Sequence, residues 1–178
     1  MTERYFSNEI AHAVDQLGSE NWSGVAYRHA SPRRNALSGA GAAISGGRWN
    51  PPGISTIYLA SPRETCLAEF GRMAEGQGRG PASFVPRALH TITVNDLAVL
   101  DLTTQDAMVA VGLNNTDLDG PWEPCQAVGA AAHFLRLAGV VAPSATGAGV
   151  VIAVFEPHVG PGQLAVESTE IIGIEDLT

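Results

Sequence analysis

The run "GGRWNPPG" at residues 46–53 most restricts how this chain can fold. Two glycines and a Pro-Pro-Gly turn forbid a helix or a central strand there. It closes a longer irregular stretch, Ala30–Pro52, rich in Gly, Ala and Ser. In a compact domain a segment of that length is functional or mobile. The chain leaves it into an apolar strand, "STIYLA" at 55–60, and then a helix. Ser61-Pro62-Arg63-Glu64 has the form of a capping box with proline at the first helical position, which predicts a helix from Pro62 to Glu75.

Around this centre the pattern is mixed. Asn8–Leu17 reads as an amphipathic helix with Ile10, Ala13, Val14 and Leu17 on one face. Strands are expected at Gly24–His29, His90–Val94, Ala98–Leu102, Val140–Ala142, Val150–Phe155 and Leu164–Glu167. Thr104–Val111 reads as a short helix, and Cys125–Ala138 as a long one stopped by Gly139. There is no regular βαβ alternation, so the expected class is α+β in one domain, with mixed or antiparallel sheets and flanking helices.

Composition narrows the function. At 178 residues and 45% hydrophobic, the chain suits one globular domain. The net charge of −8 argues against direct nucleic-acid binding. Residues 1–88 carry nine arginines against seven acidic residues; residues 89–178 carry one against eleven. A small anion is therefore drawn to the first half. All ten basic residues are arginine, a mark of genome composition as well as of function. Cys66 and Cys125 form no CxxC pair, and His12, His29, His90, His133 and His158 show no i,i+4 spacing, so no metal is expected. The start lacks a secretory pattern and no apolar run reaches a membrane span, which gives a cytoplasmic expectation and no membrane.

Four side chains stand out. On the predicted helix Cys66, Leu67, Phe70, Met73 and Ala74 form one apolar arc. Glu69 falls roughly 40° from Met73, on the margin of that arc. It is either an edge carboxylate paired with Arg72 or one that points into a partly dry cleft. Arg28 in "AYRHA" and Arg48 are either surface arginines or guanidinium forks for phosphate oxygens, with Gly46 and Gly47 letting backbone approach a ligand. Tyr58 is a half-buried strand tyrosine whose ring can also stack on a flat heterocycle.

Together "YR" at 27–28, "GGRWNPPG", "IYLA" at 57–60, "ETCLAEF" at 64–70, "LHTITVNDLAVLDLTT" at 89–104 and "CQAVGAAAHFL" at 125–135 resemble the RES-domain family, the toxin half of many bacterial toxin–antitoxin pairs. The likeness runs from Trp22 to Leu164 and implies a single RES domain over 1–178 with a core at 22–167. It implies a fold akin to the ADP-ribosyltransferases and a type II toxin that cleaves the nicotinamide–ribose bond of NAD⁺. NAD⁺ would be the substrate, with water or inorganic phosphate as acceptor and no further cofactor.

By the same resemblance Arg28 and Arg48 hold the dinucleotide, Tyr58 packs against its nicotinamide–ribose end, Tyr27 and Ser144 also bind NAD⁺, and Glu69 is the catalytic carboxylate, with Arg48 and Tyr58 as further catalytic residues. The family's signature serine follows the tryptophan of the segment before "CQA". Here Glu123 follows Trp122, so either Glu123 takes that place or Ser144 in "VAPSA" supplies the serine. The implied partner is an antitoxin with an Xre-like helix-turn-helix domain, in a hetero-oligomer. Two other functions use the same residues: protein ADP-ribosylation, and NAD⁺ binding without turnover.

Overall fold

Three runs, "TIYLAS", "GVVAP" and "VVIAVF", are apolar at successive rather than alternate positions, as in strands covered on both faces. The computed structural model describes residues 5–177. Its elements are α1 (Asn8–Leu17), β1 (Glu20–Ala30), α2 (Ala40–Ser45), β2 (Thr56–Ser61), α3 (Arg63–Gly76), β3 (Arg87–Asp101), α4 (Gln105–Ala110), α5 (Glu123–Phe134), β4 (Gly139–Pro143), β5 (Val150–Phe155) and β6 (Leu164–Ile172). Helices flank one six-stranded sheet, the mixed α+β layout expected from the sequence.

The strand order is β1-β2-β5-β4-β3-β6, with a further β1–β3 pairing that closes the first five strands into a ring. Every pair is antiparallel except β3–β4. Inside the ring Ile57, Leu59, Val141, Ile152 and Val154 pack against Ala26, Ile92, Val94, Leu97 and Val99. The opposite face of β4 and β5 carries Val140, Ala142, Ala153 and Phe155 against Val14 of α1, Met108 of α4 and Cys125, Val128 and Ala131 of α5. The β2–β5–β4 unit is thus covered on both faces, which accounts for its unbroken apolar sequence.

Several boundaries differ from expectation for identifiable reasons. The two strands expected at His90–Val94 and Ala98–Leu102 are one, β3; Asp96, at φ 54°, is accommodated within it. Ser61 does not cap α3: it ends β2, and its hydroxyl donates to Val25 O of β1 at 3.0 Å. Pro62 is the N-cap and the helix begins at Arg63. The stretch expected to be wholly irregular contains α2. The long helix α5 starts earlier, with Pro124 in its first turn, and stops at Phe134. Arg136, at φ 64°, turns the chain, and Gly139 opens β4 rather than ending the helix.

Candidate active site

Where β1, β2, α3 and the 41–48 segment meet, they leave a cleft of about 960 Å³. Tyr27, Arg28, Arg48, Tyr58 and Glu69 all line it. So do Arg34, Arg72, Arg87 and Trp122, which the sequence reading did not assign to a site.

Glu69 lies on the margin of α3, whose buried face is Thr65, Cys66, Phe70 and Ala74. Its side chain keeps 20% of its accessible surface. Oε1 accepts a hydrogen bond from the Ser144 hydroxyl at 2.6 Å, while Oε2 lies 3.8 Å from Arg72. Both readings of Glu69 therefore hold, since it pairs with Arg72 and also faces the cleft. Ser144 is buried, at the end of β4, and its Oγ accepts the Thr146 N–H at 3.1 Å and contacts Thr146 Oγ1 at 2.6 Å. Arg72 is itself fixed by Asp119 Oδ1 at 2.5 Å. Of the two candidates for the signature position, Ser144 touches Glu69; Glu123 sits exposed in the first turn of α5 and does not line the cleft.

The stretch at 46–53 is anchored from below. Trp49 is a core residue and Asn50 is fully buried. The Tyr58 hydroxyl accepts Trp49 N–H at 2.9 Å and donates to Asn50 Oδ1 at 2.8 Å. Burial raises the pKa of Tyr58 above its ordinary value, so the phenol stays protonated. That hydroxyl is occupied, and the ring is what Tyr58 can offer a ligand. Gln126 of α5 donates to Gly47 O at 2.9 Å and Asn50 O at 3.1 Å.

Gly46 and Gly47 line the cleft, and Gly47 meets a packing requirement as well. A Cβ on Gly47 would stand 2.5 Å from the Tyr58 oxygen, and one on Gly129 would stand 1.8 Å from Trp49 O. These glycines let protein approach protein, seating the loop between β2 and α5. Gly46 takes φ 74°, a conformation that favours glycine. Asn50, Gln126 and Gly129 escaped the sequence reading because an amide or glycine in such runs carries no local signal of its partner.

Both expected arginines are also tied to backbone. Arg48 donates through NH1 to Asp117 O at 2.7 Å and Gly120 O at 3.0 Å. Arg28 donates to Ala36 O at 2.5 Å and Ser38 O at 2.8 Å. Burial lowers the Arg28 pKa, partly opposed by the Glu156 carboxylate, and a guanidinium keeps its charge at neutral pH regardless. Glu156 accepts Gly39 N–H at 2.7 Å and the Ser55 hydroxyl at 2.5 Å, anchoring the other end of the same segment. Beside Arg28, His29 Nδ1 accepts from Arg87 Nε at 3.2 Å. Burial, with Arg87 and Arg28 nearby, pushes the His29 pKa down to about 3, so the ring is neutral and able to accept.

Among the described residues no cluster of three His, Cys, Asp or Glu side chains is placed to hold a metal ion. No helix among them is long and apolar enough to cross a membrane.

Comparison with known proteins adds three findings. The RES domain family matches residues 25–171. The chain is 46% identical over 159 residues to the NAD(+) phosphorylase MbcT of Mycobacterium bovis, covering 87% of this chain and 86% of that relative. The same figures hold for MbcT of Mycobacterium tuberculosis. Among solved structures, the crystal structure of the M. tuberculosis MbcT–MbcA toxin–antitoxin complex contains a chain that is 42% identical. It matches with a TM-score of 0.88 over 94% of this chain and 93% of its own.

Proposed function

Since this chain belongs to the RES-domain family, we propose that it is the toxin of a type II toxin–antitoxin pair and depletes NAD⁺ by phosphorolysis. The observation that carries the reading is the Glu69 carboxylate, held by Ser144 at the edge of an arginine-lined cleft. Similarity to a protein named as an NAD(+) phosphorylase favours phosphate over water as acceptor.

The chemistry asks little of the protein. The nicotinamide–ribose bond breaks with its electron pair leaving on the nicotinamide nitrogen, and nicotinamide departs neutral without needing a proton. The ribose C1 passes through an oxocarbenium-like transition state. A fixed carboxylate stabilises that positive charge, and Glu69 is the group placed to do so. An oxygen of inorganic phosphate then forms the new bond to C1, giving nicotinamide and ADP-ribose 1″-phosphate. Arg28 and Arg48 border the cleft as fixed positive charges for the dinucleotide, and the Tyr27 and Tyr58 rings lie beside them. No cofactor enters beyond these two substrates.

The same reading gives the strand ring an ADP-ribosyltransferase-like character, supported by its α+β layout and the shared NAD⁺ chemistry. It gives the protein a cytoplasmic address and a cognate antitoxin with an Xre-like helix-turn-helix domain. The named toxin–antitoxin complex supports the partner, and the net charge of −8 supports leaving DNA to it.

Phosphorus NMR of the purified chain with NAD⁺ tests the reaction. With phosphate present, a sugar-phosphate resonance should grow in step with free nicotinamide. Nicotinamide release that is indifferent to phosphate, with free ADP-ribose as product, would make the protein a hydrolase. Intact NAD⁺ under both conditions would end the proposal.

A further inference from the structure

One end of the cleft holds three guanidinium groups. Arg28 ends its reach in the Ala36 and Ser38 carbonyls. Arg87, at the start of β3, lies against His29 and over the Phe70 ring, 5.3 Å from its centroid. Arg34 is brought in by a turn closed from its own N–H to Ser31 O at 3.0 Å, and its NH1 lies close against Gly41 of α2. All three line the cleft.

Their charges are poorly compensated. Among the described residues the ion pairs formed by arginine involve Arg63 and Arg72, and none involves Arg28, Arg34 or Arg87. Glu156 acts on Arg28 from a distance while its Oε2 is held by Gly39 and Ser55. Arg87 rests on a neutral imidazole, which fixes its orientation without cancelling its charge. Arg34 lies near enough to disfavour the charged forms of Arg28 and Arg87, and Arg87 disfavours that of Arg28. A partly buried cluster of like charges is costly to hold together, and an anion that bridges them removes that cost. At the other end of the cleft Arg72 already has Asp119 and Glu69, so an anion gains less there.

We infer that Arg34 and Arg87, backed by Arg28, form a phosphate-anion subsite of this cleft that receives the nucleotide diphosphate or inorganic phosphate. Arg28 and Arg48 charge the cleft while giving hydrogen bonds to backbone carbonyls; Arg34 and Arg87 add charge that no carboxylate among the described residues pairs with. The subsite's role in turnover rests on the NAD⁺ reading given above, but anion binding is measurable without any reaction.

Isothermal titration with ADP, adenosine and inorganic phosphate separates the possibilities, using Arg34→Gln, Arg87→Gln and, as a matched control outside the cleft lining, Arg33→Gln. Loss of a charge-assisted contact should weaken anion binding about tenfold or more in each cleft variant. Adenosine binding should not change, and Arg33→Gln should match the parent. Weakened ADP binding assigns the subsite to the diphosphate, and weakened phosphate binding alone assigns it to the acceptor; either supports the inference. Parent-like affinity for both anions in both variants would overturn it, as would a parent protein that binds neither. Arg34 is exposed, so Arg34→Gln remains informative if Arg87→Gln does not fold. A parent that binds ADP but leaves NAD⁺ intact would sink the proposed reaction and leave the subsite standing.

Discussion

The Ser144 hydroxyl donates to Glu69 Oε1 at 2.6 Å across a separation of 75 residues, joining the end of β4 to the second turn of α3. Thr146 occupies the serine's other side, so the hydroxyl proton is directed at the carboxylate. We therefore expect Ser144 to act by positioning Glu69. Ser144→Ala should lower kcat about tenfold while KM for NAD⁺ stays within a factor of about two, the outcome expected if the contact orients the charge rather than binding substrate. Steady-state kinetics read the split. A rise in KM at unchanged kcat would place Ser144 in substrate binding instead.

Arg48 has two roles to lose. Its NH1 satisfies the carbonyls of Asp117 and Gly120, so Arg48→Ala leaves two acceptors without their donor as well as a cleft without its charge. We expect a stability loss of about 1–3 kcal/mol. For a domain of this size that is a fall in Tm of roughly 2–10 °C, together with weaker NAD⁺ binding. Thermal melts paired with calorimetry report both. An unchanged Tm would show that the carbonyl contacts contribute nothing.

Gly129 is a packing requirement. A methyl there would sit 1.8 Å from the backbone oxygen of Trp49, whose N–H is held by Tyr58 and whose neighbours Gly47 and Asn50 are held by Gln126. Gly129→Ala should destabilise by about 3 kcal/mol or more, or yield insoluble protein, despite alanine's better helix propensity. Urea unfolding measures the loss. Parent-like stability would mean that α5 and the 46–53 loop separate easily.

Stability should fall in mild acid, in part through His29. Its folded pKa, about 3, lies below the unfolded value near 6.5, so the unfolded chain binds the extra proton. This group does not affect stability above pH 6.5; below it, stability is lost at up to about 1.4 kcal/mol per unit as pH falls toward 3. Burial depresses His90 and His133 as well, so several groups share the slope. His29→Asn retains an acceptor for Arg87 without an ionisable ring. Urea midpoints between pH 7 and pH 5 should fall less steeply in this variant than in the parent. Identical slopes would assign the acid loss to the other groups.

What the sequence disclosed was local. The apolar run "VVIAVF" and the amphipathic "NEIAHAVDQL" gave β5 and α1 with their observed ends. The arc on α3 placed Glu69 on its margin without coordinates. What stayed hidden was every relation across the chain. The Ser61 hydroxyl looked like a cap because its acceptor, Val25 O, lies 36 residues away. The packing role of Gly47 was hidden because the Tyr58 ring it accommodates belongs to the next strand. Arg34 and Arg87 looked like two more arginines in an arginine-rich half; a turn at 31–34 and the β1–β3 pairing bring them to one cleft.

In the proposed reaction a negative charge at Glu69 stabilises departure of nicotinamide from NAD⁺. Glu69→Gln keeps the shape of the side chain and an acceptor for Ser144 while removing that charge. The direct measurement is nicotinamide release by the purified parent and the Gln variant at saturating NAD⁺ and phosphate, with NAD⁺ affinity and Tm recorded beside it. We expect a fall in kcat of roughly 10²–10³, with affinity and melting close to the parent's. Nicotinamide release at the parent's rate from a folded, NAD⁺-binding Glu69→Gln protein would contradict it.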